Sequence, residues 1–166
     1  TGKGLSIRFN EDNVRCMGRN TTGVRGINLT KGDRLIGLAL VEEDHTLLVA
    51  GENGIGKRTP FNEYRVQTRG GKGIITMKTT GKTGAVVGAL SVRDQDDMML
   101  ITTKGLMVRT NVKDVRETGR NTQGVKLIDL SSNDKLQAIA PVIVEDGDTD
   151  DDDPGDQLVD AELAGE

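Results

Sequence analysis

The sequence predicts an all-β fold assembled from three copies of one unit, and three observations lead to it. The motif Gly4-Leu5-Ser6-Ile7-Arg8 returns as Gly54-Ile55-Gly56-Lys57-Arg58 and as Gly105-Leu106-Met107-Val108-Arg109, at spacings of 50 and 51 residues. Hydrophobic residues make up 34% and aromatics 2%, with 22 glycines and no Trp, which favours short strands packed through Val, Ile and Leu over a helical bundle. No segment carries a sustained helical period. Repetition at about fifty residues is the signature of a propeller-like or solenoid array of β-units.

Each unit reads as the same series of strands. Leu47-Leu48-Val49-Ala50, the turn Gly51-Glu52-Asn53-Gly54 and Ile55 to Thr59 form a hairpin whose tip carries Asn-Gly, the dipeptide that accepts the positive backbone angles of tight hairpins. Met98 to Thr103, Lys104-Gly105 and Leu106 to Thr110 repeat that hairpin. A second, short strand is expected at Gly26 to Leu29, Ile74 to Met77 and Leu127 to Leu130. A third is expected at Leu35 to Val41, Ala85 to Val92 and Leu136 to Val144, whose nearly continuous apolar character predicts burial on both faces. The units run over approximately 1–50, 51–103 and 104–144. Thr1-Gly2-Lys3-Gly4 matches a hairpin tip without its first strand. The counterpart of 47–50 is also missing after Val144. The sequence therefore reads as a piece of a longer repeat domain, cut on its N-side and keeping the natural C-terminus, with open edges that further units or another copy would cover.

Charge is divided between the body and the end of the chain. The net charge of −4 conceals eleven acids and no Lys or Arg from Glu145 onward, which leaves 15 acids against all 22 basic residues in 1–144. A cationic body suits a nucleic acid or another anionic surface. The stretch 145–166 reads as a disordered acidic tail, either a competitor for the same basic surface or a solubility appendage. No apolar run is long enough to span a bilayer, so no membrane partner is expected. One cysteine, Cys16, excludes an internal disulfide framework and fits a reducing cytoplasm.

The stretch Gln67-Thr68-Arg69-Gly70-Gly71-Lys72-Gly73 places two cations and three glycines between Tyr64-Arg65-Val66 and the apolar run Ile74 to Met77. Glycine lets a ligand approach the backbone, Arg offers a planar fork of donors and Lys a mobile point charge, so the loop suits a polyanion or serves as a tight turn. At the matching place Gly18-Arg19-Asn20-Thr21-Thr22-Gly23-Val24 and Gly119-Arg120-Asn121-Thr122-Gln123-Gly124-Val125 are almost identical.

On these residues the chain resembles the C-terminal domain of DNA gyrase A, from Gly2 to about Val144 and again in the acidic tail. Gln67 to Gly73 resembles the gyrase box, a Gln-basic-Arg-Gly-Gly-basic-Gly heptapeptide, with Thr68 in place of one basic residue and in the middle unit instead of the family's first blade. The resemblance implies a β-pinwheel, here three blades of a six-bladed domain, that bends and wraps double-stranded DNA on its rim. It implies partnership with the rest of gyrase A and with gyrase B in an A2B2 holoenzyme, supporting ATP-dependent negative supercoiling in the bacterial cytoplasm at the nucleoid. The related domain of topoisomerase IV has degenerate boxes, so the near-complete box and the acidic tail favour gyrase. Implied DNA contacts are Gln67, Arg69, Gly70, Gly71, Lys72 and Gly73 of the box, with Arg19, Arg25, Arg120 and Lys126 in or beside the matching loops.

Three arginine rows recur through the units: Arg8, Arg58, Arg109; Arg15, Arg65, Arg116; and Arg19, Arg69, Arg120. On a rim they would meet successive phosphates of a bent duplex without reading bases, whereas a structural row would pair acids such as Glu63 and Asp114. No catalytic site is expected in this fragment. Gly51 to Lys57 has the spacing of a phosphate loop, but Arg58 stands where a magnesium-binding hydroxyl belongs and a hairpin stands where a helix should follow. His45 lies in a polar turn without Cys or His partners, Asp94, Asp96 and Asp97 read as solvated loop, and Asp150 to Asp153 lack calcium-loop spacing. Tyr64 shares a repeat position with Val14 and Val115 and reads as packing. No cofactor or metal is expected here, with ATP and Mg2+ used elsewhere in the holoenzyme. The alternative class is a non-catalytic propeller scaffold for protein interaction.

Overall fold

The computed structural model describes residues 1–142, so the acidic tail and the expected strand ends Ile143 and Val144 lie outside the described residues. Nine strands follow in order: β1 Leu5–Ser6, β2 Thr46–Gly51, β3 Ile55–Pro60, β4 Ile74–Ile75, β5 Val86–Val92, β6 Asp97–Thr102, β7 Met107–Asn111, β8 Val125–Lys126 and β9 Leu136–Val142. The only helical pieces among the described residues are three single turns of 3-10 helix, Glu11–Asn13, Phe61–Glu63 and Val112–Asp114. The architecture is all-β and propeller-like.

Both expected hairpins form. β2 pairs antiparallel with β3 from Thr46↔Pro60 to Ala50↔Gly56, and β6 pairs with β7 from Asp97↔Asn111 to Ile101↔Met107. β5 adds to the other side of β2 and β9 to the other side of β6, each pairing slipping by a bulge at matching positions, Ala50/Gly51 and Ile101/Thr102. The short strands then cross between units. β4 of the second unit pairs with β1 of the first, and β8 of the third unit completes the second blade against β3. The middle sheet therefore runs β5-β2-β3-β8 and the last β7-β6-β9.

That order corrects three expectations. The strands buried on both faces are β2 and β3, and in β2 Leu47 and Val49 enter one core with Phe61, Tyr64, Met77 and Val86, while Leu48 and Ala50 enter another with Met98, Leu100, Val112 and Val115. β5 and β9 are apolar but sit at sheet edges and are only half-buried through most of their length. The second short strands are two residues long, at Ile74–Ile75 and Val125–Lys126, because each pairs only with the first two residues of its host strand. Residues 26–29 and 35–41 form no strand. Leu35, Leu38 and Leu40 are 61%, 80% and 64% exposed, above a groove of about 1100 Å³ floored by Phe61, Tyr64 and Val86.

Candidate nucleic-acid interface

The 3-10 turns set the direction in which the cationic loops leave the blades. In the first and third units an Asn side chain opens the turn, Asn10 accepting from the Asp12 N–H at 2.9 Å and Asn111 from the Lys113 N–H at 3.0 Å. After each turn the chain runs beside the preceding unit. The Gln67 N–H donates to the Arg8 carbonyl at 2.8 Å and the Thr118 N–H to the Arg58 carbonyl at 2.9 Å. Residues 66–73 and 117–124 are thus loops laid across the previous blade, and this is where the repeat-matched cations gather.

The middle loop is stapled to the first unit. The Gly70 N–H donates to the Gly26 carbonyl at 2.5 Å, and Gly71 accepts from the Asn28 N–H at 2.8 Å. Arg69 donates through Nε to the Asn13 carbonyl at 2.8 Å and through Nη1 to the Arg25 carbonyl at 3.1 Å. Gly73, at φ +77°, presses on the Ser6 carbonyl so closely that a Cβ would collide with it. Gly124, at φ +97°, does the same to the carbonyl of Gly56. Here the glycines shape and dock the loop, Arg69 is half-buried and occupied by carbonyls, and Gln67 is half-buried with its Nε2 unpartnered. Lys72 and Arg25 are exposed without an ion-pair partner among the described residues. The loop therefore sets Arg69 against Arg25 and leaves Lys72 exposed.

The third-unit loop is held differently. Thr122 accepts from the Lys78 N–H at 2.9 Å, and Arg120 donates through Nη1 to the Ile75 carbonyl at 3.1 Å while its Nε is buried and unpartnered. Beneath it Lys57, fully buried as a residue, donates its Nζ to the carbonyls of Gly119, at 2.7 Å, and Arg120, and to the Thr122 hydroxyl at 3.2 Å. Burial, reinforced by the neighbouring Arg120 guanidinium and partly opposed by Glu63, pulls the Lys57 ammonium down to about 8. Arg19, in the first unit, is exposed with no ion pair among the described residues, and Lys126 is exposed but paired with Asp129 at 2.5 Å.

The three arginine rows separate by partner. Arg8 donates to the carbonyls of Phe61 and Tyr64 at 2.9 and 3.4 Å, and Arg58, 5% exposed, to the Val115 carbonyl at 2.7 Å and to Asp94, with Glu117 at 3.7 Å. Arg109 pairs with Asp97 at 2.6 Å. This row ties each blade to its neighbour or to itself, and its acids are Asp94, Glu117 and Asp97, not Glu63 or Asp114. Asp96 in turn pairs with Arg93 at 3.0 Å, so the acids expected as solvated loop are structural partners. Replacing Arg58 by Met is expected to cost about 1–2 kcal/mol in chemical denaturation, because Asp94 and Glu117 are exposed enough to regain water and only the Val115 carbonyl is left short of a donor.

The row Arg15, Arg65, Arg116 is exposed in all three units and free of ion pairs among the described residues. These residues are missing from the contacts that the gyrase-box resemblance implies, although their spacing marks them. Tyr64 is buried, its hydroxyl 2.5 Å from the Thr76 hydroxyl, and burial pushes the phenol up, as a packing residue should be. His45 is half-buried, against the Glu43 carbonyl at 2.9 Å and Glu42 at 3.5 Å. No group of three His, Cys, Asp or Glu able to hold a metal occurs among the described residues, nor does any helix long and apolar enough to cross a membrane.

Comparison with known proteins agrees with this geometry. The profile of the family described as DNA gyrase C-terminal domain, beta-propeller, matches residues 1–42, 45–93 and 96–143. The DNA gyrase A polypeptide of Escherichia coli K12 is 46% identical over 153 residues, covering 90% of this chain and 18% of the relative. That of Mycolicibacterium smegmatis is 45% identical over 148 residues, covering 88% and 18%. A solved DNA gyrase A C-terminal domain superposes with a TM-score of 0.80 at 33% identity, over 86% of this chain and 48% of that one. The C-terminal domain of DNA topoisomerase IV, at a TM-score of 0.79 and 24% identity over 85% and 44%, shares the fold. This chain, spanning under a fifth of the length of the curated relatives it matches, belongs to the family of DNA gyrase C-terminal, propeller-type domains.

Proposed function

We propose that this chain is a DNA-wrapping segment of a gyrase A polypeptide, holding duplex DNA through its phosphates and imposing a bend. The observation that carries the reading is the row Arg15, Arg65, Arg116, one exposed cation per unit with no ion pair among the described residues, joined by the exposed Arg19, Arg25 and Lys72. Cations repeated once per unit suit successive phosphates on a bent duplex and carry no base-reading information. Smooth bending of a binding site costs on the order of 1–6 kcal/mol, so several contacts must act together. Gln67 and the glycines Gly70, Gly71 and Gly73 then shape the track more than they grip it, Arg69 and Arg120 share their guanidinium donors between backbone carbonyls and the track, and Lys126 divides its charge with Asp129.

In this reading the segment works within gyrase A, with strand cleavage, ATP turnover and Mg2+ elsewhere in an A2B2 enzyme that includes gyrase B. The setting is the bacterial cytoplasm, at the nucleoid. Titration of a labelled duplex with the full-length polypeptide tests it. Log affinity is expected to fall linearly with log salt at about −0.9 for each phosphate contact. Binding that is absent at low salt, or flat in salt, would reject DNA wrapping and favour a protein-interaction scaffold.

A further inference from the structure

Lys57 stands at a repeat position held elsewhere by Ile7 and Val108, so the middle unit alone puts an amine in an otherwise apolar slot. In the first unit that slot faces the close-packed glycines of the middle loop, with the Ile7 side chain in contact range of Gly71. The third-unit loop has Thr122 where the middle loop has Gly71, and the long side chain of Lys57 bridges from beneath. Its three acceptors, the carbonyls of Gly119 and Arg120 and the Thr122 hydroxyl, belong to one turn, and an ammonium has three donors to match them. We propose that Lys57 is a positioning residue for the third-unit loop, holding Arg120 at the surface, and that DNA phosphate on this loop and the proton on Lys57 bind cooperatively.

The proposal rests on the DNA-wrapping reading and adds its regulation. The charged groups facing Lys57 are Arg120 from the loop and Glu63 from the 3-10 turn, and the Tyr64 phenol has the same two neighbours. Without DNA, burial and the Arg120 cation disfavour the ammonium, which stands at about 8. A phosphate set against Arg120 offsets that cation and raises Lys57, so binding takes up a proton and weakens as pH rises through the free value. The neutral amine has two donors for three acceptors, and the turn loosens.

The test is duplex affinity of the full-length polypeptide from about pH 7 to about pH 9 at fixed salt, for wild type, Lys57→Met and Lys57→Arg. Wild type is expected to lose about fivefold, as a one-unit change in an amine near pH 8 gives. Lys57→Arg, charged throughout, is expected to bind with no such slope, and Lys57→Met to bind weakly at every pH with no slope. Equal slopes in wild type and Lys57→Arg overturn the proposal while leaving DNA binding intact. Absence of binding in all three overturns the wrapping reading itself. Stability separates a folding effect. The unfolded amine binds its proton more tightly than the folded one, so wild-type stability rises between about pH 8 and 10.5 while DNA affinity falls.

Discussion

Gly124→Ala is expected to cost about 3–4 kcal/mol of stability and to lower the melting temperature by roughly 10 °C, whereas Gly23→Ala, at the same repeat position, is expected to cost about 1–2 kcal/mol. Both glycines have positive φ, +97° and +78°, so both substitutions incur the penalty of a left-handed residue. They differ in what surrounds them. A Cβ on Gly124 collides with the backbone carbonyl of Gly56, which β8 pairing holds in place, while nothing lies within 4 Å of a Cβ on Gly23. The difference between the two variants, read by thermal and chemical denaturation, measures how firmly the third-unit loop is docked on the second blade. Equal losses would mean that the close approach contributes nothing.

Removing the exposed row Arg15, Arg65, Arg116 is expected to have the largest effect on binding. The triple variant Arg15→Ala, Arg65→Ala, Arg116→Ala should flatten the salt slope by about 2.7 and weaken duplex affinity by roughly two to three orders of magnitude at about 0.1 M salt. These side chains are exposed and have no ion pairs among the described residues, so folding stability should stay within about 0.5 kcal/mol of wild type. A triple variant of the row Arg8, Arg58 and Arg109 should do the reverse, lowering stability first because its members hold carbonyls and acids within and between blades. A salt slope unchanged by loss of the exposed row would move the DNA track to another surface.

Much of this architecture is legible in the residues because it repeats. The hairpins at Thr46–Pro60 and Asp97–Asn111 are readable from the Asn53-Gly54 turn and its counterpart at Lys104-Gly105, since turn chemistry is local. Burial of the third strands is not. Leu136–Val142 is as apolar as Thr46–Gly51, yet only the latter is central in its sheet, and centrality is set by strand order, which no single strand encodes. The division of labour among arginines is equally hidden. Arg58 and Arg65 look alike until Asp94, from the end of the same unit, and Glu117, from the next, close on Arg58 alone. Lys57 breaks its own repeat, and only the carbonyls above it explain why.

The exchange of short strands, β4 to the first blade and β8 to the second, makes the protein a set of clasped links instead of a stack of separable tiles. A link cannot peel away alone, since releasing β8 uncovers the second blade's edge and frees the third unit's loop in one event. A force on one unit would therefore spread into its neighbours, and a duplex bound as we propose would be the component that yields.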